Sequence, residues 1–305
     1  MVVTGGAGFI GSHLVEALIG EGFRVGVVDD LSRGREEWVS SQAELVVAPV
    51  QGEQAARFVE SFQPQAVVHL AAQVSVPRSA EDPQADADAN VMGTIRVARA
   101  CVRAGARRLV FVSSAAVYGS PLWLPVSEDH PLRPLSPYGV SKLAAEHYTR
   151  VLAEQSGLEW CVLRYANVYG PRQDAYSEAG VVAAFASAAL SGRPLTVHGD
   201  GHQTRDFVYV GDAVEATLRA LSVAGAGGHV LNVGTGTEVS ILELADAIWR
   251  AAGCEGEALR VHTAPRPGDV RRSVLACGEA DRVLGFRASV SLAEGLSRTL
   301  REGRL

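Results

Sequence analysis

The chain has 305 residues, 47% of them hydrophobic and 20% charged, with a formal net charge of −6. That length and composition suit one large α/β unit with a smaller lobe and exclude a disordered chain, and the acidic balance gives no reason to expect a nucleic-acid partner. Four dispersed cysteines without a C-x-x-C suggest neither a disulfide framework nor a metal site, and no apolar stretch approaches the ~20 residues of a membrane helix. A cytoplasmic protein with reduced thiols is expected. The pairs Arg107-Arg108 and Arg271-Arg272 read as solvated faces rather than phosphate tracks.

Val2-Val3-Thr4 reads as a short first strand, with only Met1 ahead of it. Gly5-Gly6-Ala7-Gly8-Phe9-Ile10-Gly11 then turns into a helix from about Phe9 to Gly20. Glycines at 5, 8 and 11 permit a tight turn, close backbone approach to a pyrophosphate and close helix packing, with the helix N-terminus facing the phosphates. A second strand ends at Asp29, 18 residues after Gly11, where a carboxylate can take both ribose hydroxyls. Asp29 repels a 2′-phosphate, so NAD is the expected cofactor. Arg33 could welcome that phosphate, which leaves NADP as the alternative.

A third strand covers Glu44 to Val47, and a fourth runs from Ala66 into Leu70-Ala71-Ala72-Gln73, small residues where a cofactor would cross the sheet edge. Asn90, on a long helix expected from about Pro83 to Ala104, is a candidate polar contact. A fifth strand from Arg108 leads into Ser113-Ser114-Ala115-Ala116. Continuous apolar strands separated by helices predict an α/β fold, a doubly wound parallel (Rossmann) sheet that binds beyond its C-terminal strand ends.

Tyr138 and Lys142 follow in Ser136-Pro137-Tyr138-Gly139-Val140-Ser141-Lys142, with Ser136 as helix N-cap and Pro137 in the first turn. A spacing of four sets both side chains on one helix face. An ammonium beside the phenol and the positive helix end are expected to pull the tyrosine below its ordinary pKa of ~10, making it a base for an alcohol proton. An isolated Y-x-x-x-K usually means a surface tyrosine and a solvated lysine; the glycine loop and Ser114 give this pair its context. A sixth strand starts at Glu159. Beyond Tyr165 the pattern breaks into Pro- and Gly-rich loops, which predicts two interleaved lobes. Residues 1–165 plus about 205–234 are expected to bind NAD, and about 166–204 plus 235–305 the substrate.

Together these motifs resemble the extended short-chain dehydrogenase/reductase superfamily, in its NAD-dependent epimerase/dehydratase branch, over essentially the whole chain. The resemblance implies Tyr138 as base, Lys142 as the residue that tunes it and holds the nicotinamide ribose, and Ser114 as the completing hydroxyl, with Ser113 the lesser candidate. It adds Phe9, Ile10, Asp30, Ser32, Val50 and Val168 to the cofactor contacts. Arg164 to Gln173 is similar to the segment that places Tyr165 near the nicotinamide and Asn167 near the substrate phosphates. On the substrate side the resemblance implies Val76, Val181 and Val182, with Thr196 and His198 on a uracil-contact strand. Arg205 and Arg266 would clamp a diphosphate while Asp269 accepts from a ribose hydroxyl. One departure is Ala48-Pro49-Val50, where relatives often carry an aspartate near the adenine; apolar or backbone recognition is expected instead.

Relatives that eliminate water carry an Asp-Glu pair just after the serine position, and those that decarboxylate a sugar acid carry a Glu there. Ala115 and Ala116 can neither donate nor accept a proton, which leaves removal and return of a hydride at C4. The run from Arg172 to Val182 is most similar to the shorter bacterial UDP-glucose 4-epimerases, implying a UDP-hexose substrate. Ser273 stands where some relatives have a tyrosine crowding the sugar's C2, so UDP-N-acetylglucosamine is an alternative, as is UDP-glucuronate. A net dehydrogenase or reductase and a non-catalytic nucleotide-sugar sensor are the readings from other classes. The resemblance also implies a homodimer through helices near 84–104 and 137–156.

Overall fold

The computed structural model describes residues 1–174, 180–266 and 268–301. β1 (Val2–Thr4), β2 (Gly26–Asp29), β3 (Glu44–Val47), β4 (Ala66–His69), β5 (Arg108–Ser114) and β6 (Glu159–Tyr165) form one parallel sheet, completed by His229–Val233. Across the sheet the order is His229–Val233, β6, β5, β4, β1, β2, β3. The chain leaves β1 outward through β2 and β3, then crosses back to β4 on the other side of β1. That reversal opens a crevice at the C-terminal ends of β1 and β4, where open α/β sheets bind ligands.

The helices that shape the crevice are α1 (Phe9–Gly20), α2 (Glu53–Phe62), α3 (Val76–Glu81), α4 (Pro83–Ala87), α5 (Gly93–Arg103) and α6 (Pro137–Ser156). Period-two alternation sorts the strand residues onto two helical layers. Val3, Val27, Val68, Val110 and Leu163 pack with Leu14 and Leu18 of α1 and Ala213 of the helix Val210–Ser222. Val2, Val28, Val67, Phe111 and Val162 pack with Val59 of α2, Val97 and Cys101 of α5 and Ala145 of α6. Each such valine or leucine stabilises the fold by roughly 1.5–3 kcal/mol. β1 can therefore be short: its three residues are fully buried and paired on both sides.

Two expectations change. The helix expected over residues 83–104 is interrupted by a π-turn at Asp88–Met92, which lies between α4 and α5 and carries the buried Asn90. Arg108 is no solvated cation. It is buried, pairs with Glu159 at 2.6 Å, and donates to the carbonyls of Ala220, Leu221 and Val223. Those carbonyls end the helix Val210–Ser222, where the macrodipole favours a positive charge. Arg271 and Arg272 are exposed, paired with Asp200 and Glu238.

Beyond the main sheet, Leu195–His198 runs parallel to Arg260–Thr263, Asn167–Tyr169 parallel to Phe207–Tyr209, and Thr204–Arg205 antiparallel to Val239–Ser240. Among the described residues no helix is long and apolar enough to cross a membrane.

Candidate active site

The cofactor cradle begins where β1 ends. Gly5 adopts a φ of +72°, and a Cβ there would sit 2.7 Å from the Ala71 nitrogen, so glycine lets β1 turn tightly beside the Leu70–Gln73 segment. A Cβ on Gly11 would overlap the Gly5 carbonyl oxygen. α1 opens at Gly8 with no side-chain cap and no acidic residue in its first turn. The first N–H groups of a helix, here from Phe9 and Ile10 onward, have no intrahelical acceptor, and the dipole favours an anion beside them.

Asp29 closes the cradle. Its Oδ2 accepts from Ala7 N at 3.0 Å and its Oδ1 from Leu31 N at 2.9 Å, which fixes the carboxylate. Burial raises its pKa, and those two N–H bonds oppose the rise. Asp30 shapes the following turn by accepting the N–H and hydroxyl of Ser32. Arg33 faces Asp174 at 3.9 Å. Val50 is buried against Gly93, an apolar wall at the end of β3. A turn with no room for side chains, an uncapped helix start and a fixed carboxylate fit a dinucleotide, and a carboxylate at this place disfavours a 2′-phosphate.

Opposite the cradle, Leu70, Ala71, Ala72 and Gln73 run across the crevice. Leu70 N and Ala71 N both donate to Thr4 O at 3.1 Å. Gln73 N donates to Asn90 Oδ1 at 2.8 Å, and Asn90 Nδ2 donates back to Gln73 O at 3.0 Å. Beneath them the His69 ring bridges the Thr4 hydroxyl at 2.6 Å and the Thr94 hydroxyl at 3.0 Å. Thr94 donates to Asn90 O at 2.6 Å, so the consistent assignment has His69 donating from Nε2 and accepting at Nδ1. Burial, with Lys142 nearby, lowers its pKa to about 3 and keeps it neutral.

The two serines part at the end of β5. Ser113 points into the interior and donates to Glu146 Oε1 at 2.5 Å, whereas Ser114 accepts from Ala116 N at 3.2 Å and acts on the Tyr138 phenol, favouring its ionised form. Of the two serines, Ser114 is the one turned to Tyr138. Ser136 caps α6 by accepting from Gly139 N at 3.1 Å, and Tyr138 N donates to Ser79 Oγ at 3.1 Å. Tyr138, Lys142 and Glu146 then recur every fourth residue on the face of α6 turned to the sheet. Lys142 Nζ donates to Val112 O at 2.6 Å and lies 4.4 Å over the Phe111 ring.

This geometry corrects the expected acidity of Tyr138. Burial pushes the phenol up to about 12; the Ser114 hydroxyl opposes the rise and the Asp86 carboxylate adds to it. Lys142 itself is lowered to about 8 by burial, with Glu146 and Asp86 opposing. The chain alone thus keeps Tyr138 protonated near neutrality. The positive charge of a bound oxidised nicotinamide favours the phenolate.

On the substrate side the placement is mixed. The Tyr165 hydroxyl is committed to Ala213 O and Thr217, and its side chain is buried in the core. Val168 O accepts from Gln173 Nε2 at 3.0 Å, and Asn167 N donates to Asp206 O at 2.9 Å. Val76, at the start of α3, is exposed. Val182 is buried in the core while Val181 opens the helix Val181–Leu190 half-buried. Thr196 is exposed, and His198 Nδ1 meets the Thr263 hydroxyl at 2.9 Å. Arg205 ion-pairs with Asp269 and lies within electrostatic range of Arg266, so these three come together; Pro267 lies outside the described residues. Ser273 is half-buried next to Val274, whose carbonyl accepts from Val126 N at 2.8 Å.

Several supporting residues carry no signal in the motifs. Glu146 and Arg164 form a buried ion pair at 2.7 Å, and Arg164 also donates to Tyr118, whose hydroxyl donates to Asn232. Asp206 accepts from Thr235 N, Thr235 Oγ1 and Gly236 N and pins that turn. Ser79 and Asp86 stand behind Tyr138. The usable hints were spacing: Glu146 is four residues after Lys142, and Asp86 four before Asn90.

The model of the NAD dependent epimerase/dehydratase family matches residues 1–234. The UDP-glucose 4-epimerase of Mycolicibacterium smegmatis is 46% identical over 305 residues, covering 98% of this chain and 96% of that protein. The crystal structure of the Thermotoga maritima UDP-glucose 4-epimerase with UDP-glucose is similar with a TM-score of 0.94 at 40% identity, over 98% of this chain and 97% of that one. For the Thermus thermophilus UDP-glucose 4-epimerase complex with NAD the TM-score is 0.92 at 41% identity, over 100% and 99%. The chain belongs to the NAD dependent epimerase/dehydratase family.

Proposed function

We propose that the protein interconverts UDP-glucose and UDP-galactose through a transient 4-keto sugar, with NAD kept in the cradle. The observation that carries the reading is Ser114 at the end of β5 facing α6, which bears Tyr138 and Lys142 with Lys142 Nζ on Val112 O, set beside the glycine cradle with alanine at 115 and 116. Of the solved structures named above, one contains UDP-glucose and the other NAD, which supports both ligands.

Bound NAD supplies the hydride acceptor and, later in the same cycle, the donor. Ser114 holds the C4 hydroxyl by a hydrogen bond, and Tyr138 Oη takes its proton. Lys142 places a buried positive charge beside the phenol. The flat 4-keto sugar turns about its link to the nucleotide and offers its other face, and Tyr138 returns the proton. Ala115 and Ala116 offer no second acid or base, so elimination has no proton partner. Arg205, Arg266 and Asp269 hold the UDP while the hexose is held loosely. In this reading residues 1–165 and about 205–234 form the NAD lobe, and about 166–204 and 235–305 the nucleotide-sugar lobe.

Purified protein given UDP-galactose without added NAD should form UDP-glucose; stoichiometric release of NADH, or binding without turnover, would sink the reading. The small Ser273 favours a second substrate, UDP-N-acetylglucosamine, and failure to turn it over in the same assay removes that extension. We also infer a homodimer, because the adjacent α5 and α6 regions leave Met92, Val102, Val140, Tyr148 and Val151 exposed. Sedimentation should report twice the 32.1 kDa chain mass. A monomer at micromolar concentration would count against it.

A further inference from the structure

Asp86, on α4, is 1% exposed. Its Oδ1 accepts from Gln73 Nε2 at 2.9 Å and Asn90 Nδ2 at 3.2 Å, whereas its Oδ2 is buried without a hydrogen-bond partner. An unpartnered buried carboxylate oxygen costs free energy, so its presence calls for a reason. The surrounding hydrogen bonds supply one. Asn90 Nδ2 also reaches Ser141 Oγ at 3.0 Å, and the Ser141 hydroxyl donates to Tyr138 O at 3.0 Å. Gln73 Nε2 also donates to Ser75 O at 2.9 Å, while its Oε1 accepts from Ser75 N at 2.6 Å. Asp86 is thus the shared acceptor of the two side chains that fix the crossing segment and brace the first turn of α6.

We propose that Asp86 is a positioning residue for the Tyr138–Lys142 pair: it holds Gln73 and Asn90 against the first turn of α6 and sets one fixed negative charge behind the pair. The proposal rests on Tyr138 serving as the base. The charge acts on both members in the same direction, favouring the protonated form of each. Burial raises Tyr138 and Asp86 adds to that, while burial lowers Lys142 and Asp86 opposes it. The other ionisable groups around the pair are Glu146, bound to Arg164 one turn along α6, and His69 at the end of β4, which is neutral. Glu146 and, after it, Asp86 favour the charged lysine, and Asp86 restrains the phenol until a cation in the cradle offsets it.

Asp86→Asn keeps an oxygen for Gln73 and Asn90 and removes the charge. The test uses the full chain loaded with NAD and carrying tyrosine labelled with carbon-13 at Cζ, the Tyr138 resonance being assigned by its loss in Tyr138→Phe. Removing a negative charge favours the phenolate, so Tyr138 should ionise at a pH lower by about half a unit or more. A structural role alone would reduce NAD retention and leave the titration in place, and that result overturns the proposal. If Asp86→Asn does not fold, Asp86→Ser, which removes the charge and keeps a hydroxyl, decides the matter: Tyr138 should again ionise at lower pH, and an unmoved titration would refute the charge role. The resonance needs no turnover, so a protein that fails to epimerise UDP-galactose sinks the proposed function and leaves the test of Asp86 in force.

Discussion

Tyr138→Phe is expected to lower kcat for UDP-galactose by roughly 10²–10⁴-fold, the range of a positioned acid–base group. The substitution removes one oxygen and keeps the ring, so packing around the first turn of α6 is preserved. The Tyr138 backbone bonds to Ser79 and Ser141 are untouched. Bound NAD and the unfolding temperature should therefore stay near wild type, and KM should change little, because the lost interaction acts on a proton in flight. Steady-state kinetics with a count of retained NAD checks this. A variant keeping more than about a tenth of wild-type kcat would mean that another group carries the proton, since even the weakest acid–base contribution exceeds that. Wild-type kcat should also climb with pH through the ionisation of the phenol in the NAD complex, an ionisation that burial raises and the bound cation lowers.

Glu146→Ala should give the largest loss of stability. It strands the Arg164 guanidinium, 4% exposed, without its carboxylate, and takes the acceptor from Ser113. Breaking one partner of a buried ion pair costs about 3–5 kcal/mol, equivalent to a fall of roughly 5–15 °C in Tm for a domain of this size. Arg164→Met in the same chain should recover much of the loss, because the stranded charge is gone. Calorimetry of the two variants checks both statements. A fall of less than about 2 °C would show that Arg164 finds water or another acceptor.

Much of the fold was legible because burial on both faces writes itself into composition. Val2-Val3, Val27-Val28, Val67-Val68 and Val110 through Val112 can be continuous apolar runs only in a sheet covered on both sides. The glycine loop and Asp29 were legible for a related reason: few side chains satisfy a turn that leaves no room for Cβ beside Ala71 and the Gly5 carbonyl. Direction was much harder to read than position. The spacing of Tyr138 and Lys142 places them on one face, but says nothing of Nζ reaching across to Val112 O. Arg107 and Arg108 look alike in sequence, yet strand alternation turns the second into the interior and onto a helix end. The π-turn around Asn90 was invisible because one wide turn shifts the helical repeat by a single residue, too little to read in so short a stretch. Arg205 and Asp269 are 64 residues apart, and their pairing belongs to the tertiary fold.

The central claim is that a hydride leaves C4 of the sugar and returns to the same carbon. UDP-galactose deuterated at C4, turned over in ordinary water without added NAD, tests it most directly. The account predicts UDP-glucose that retains deuterium at C4, with no NADH released. Solvent hydrogen at C4 of the product, or deuterium accumulating in free NADH, would contradict it.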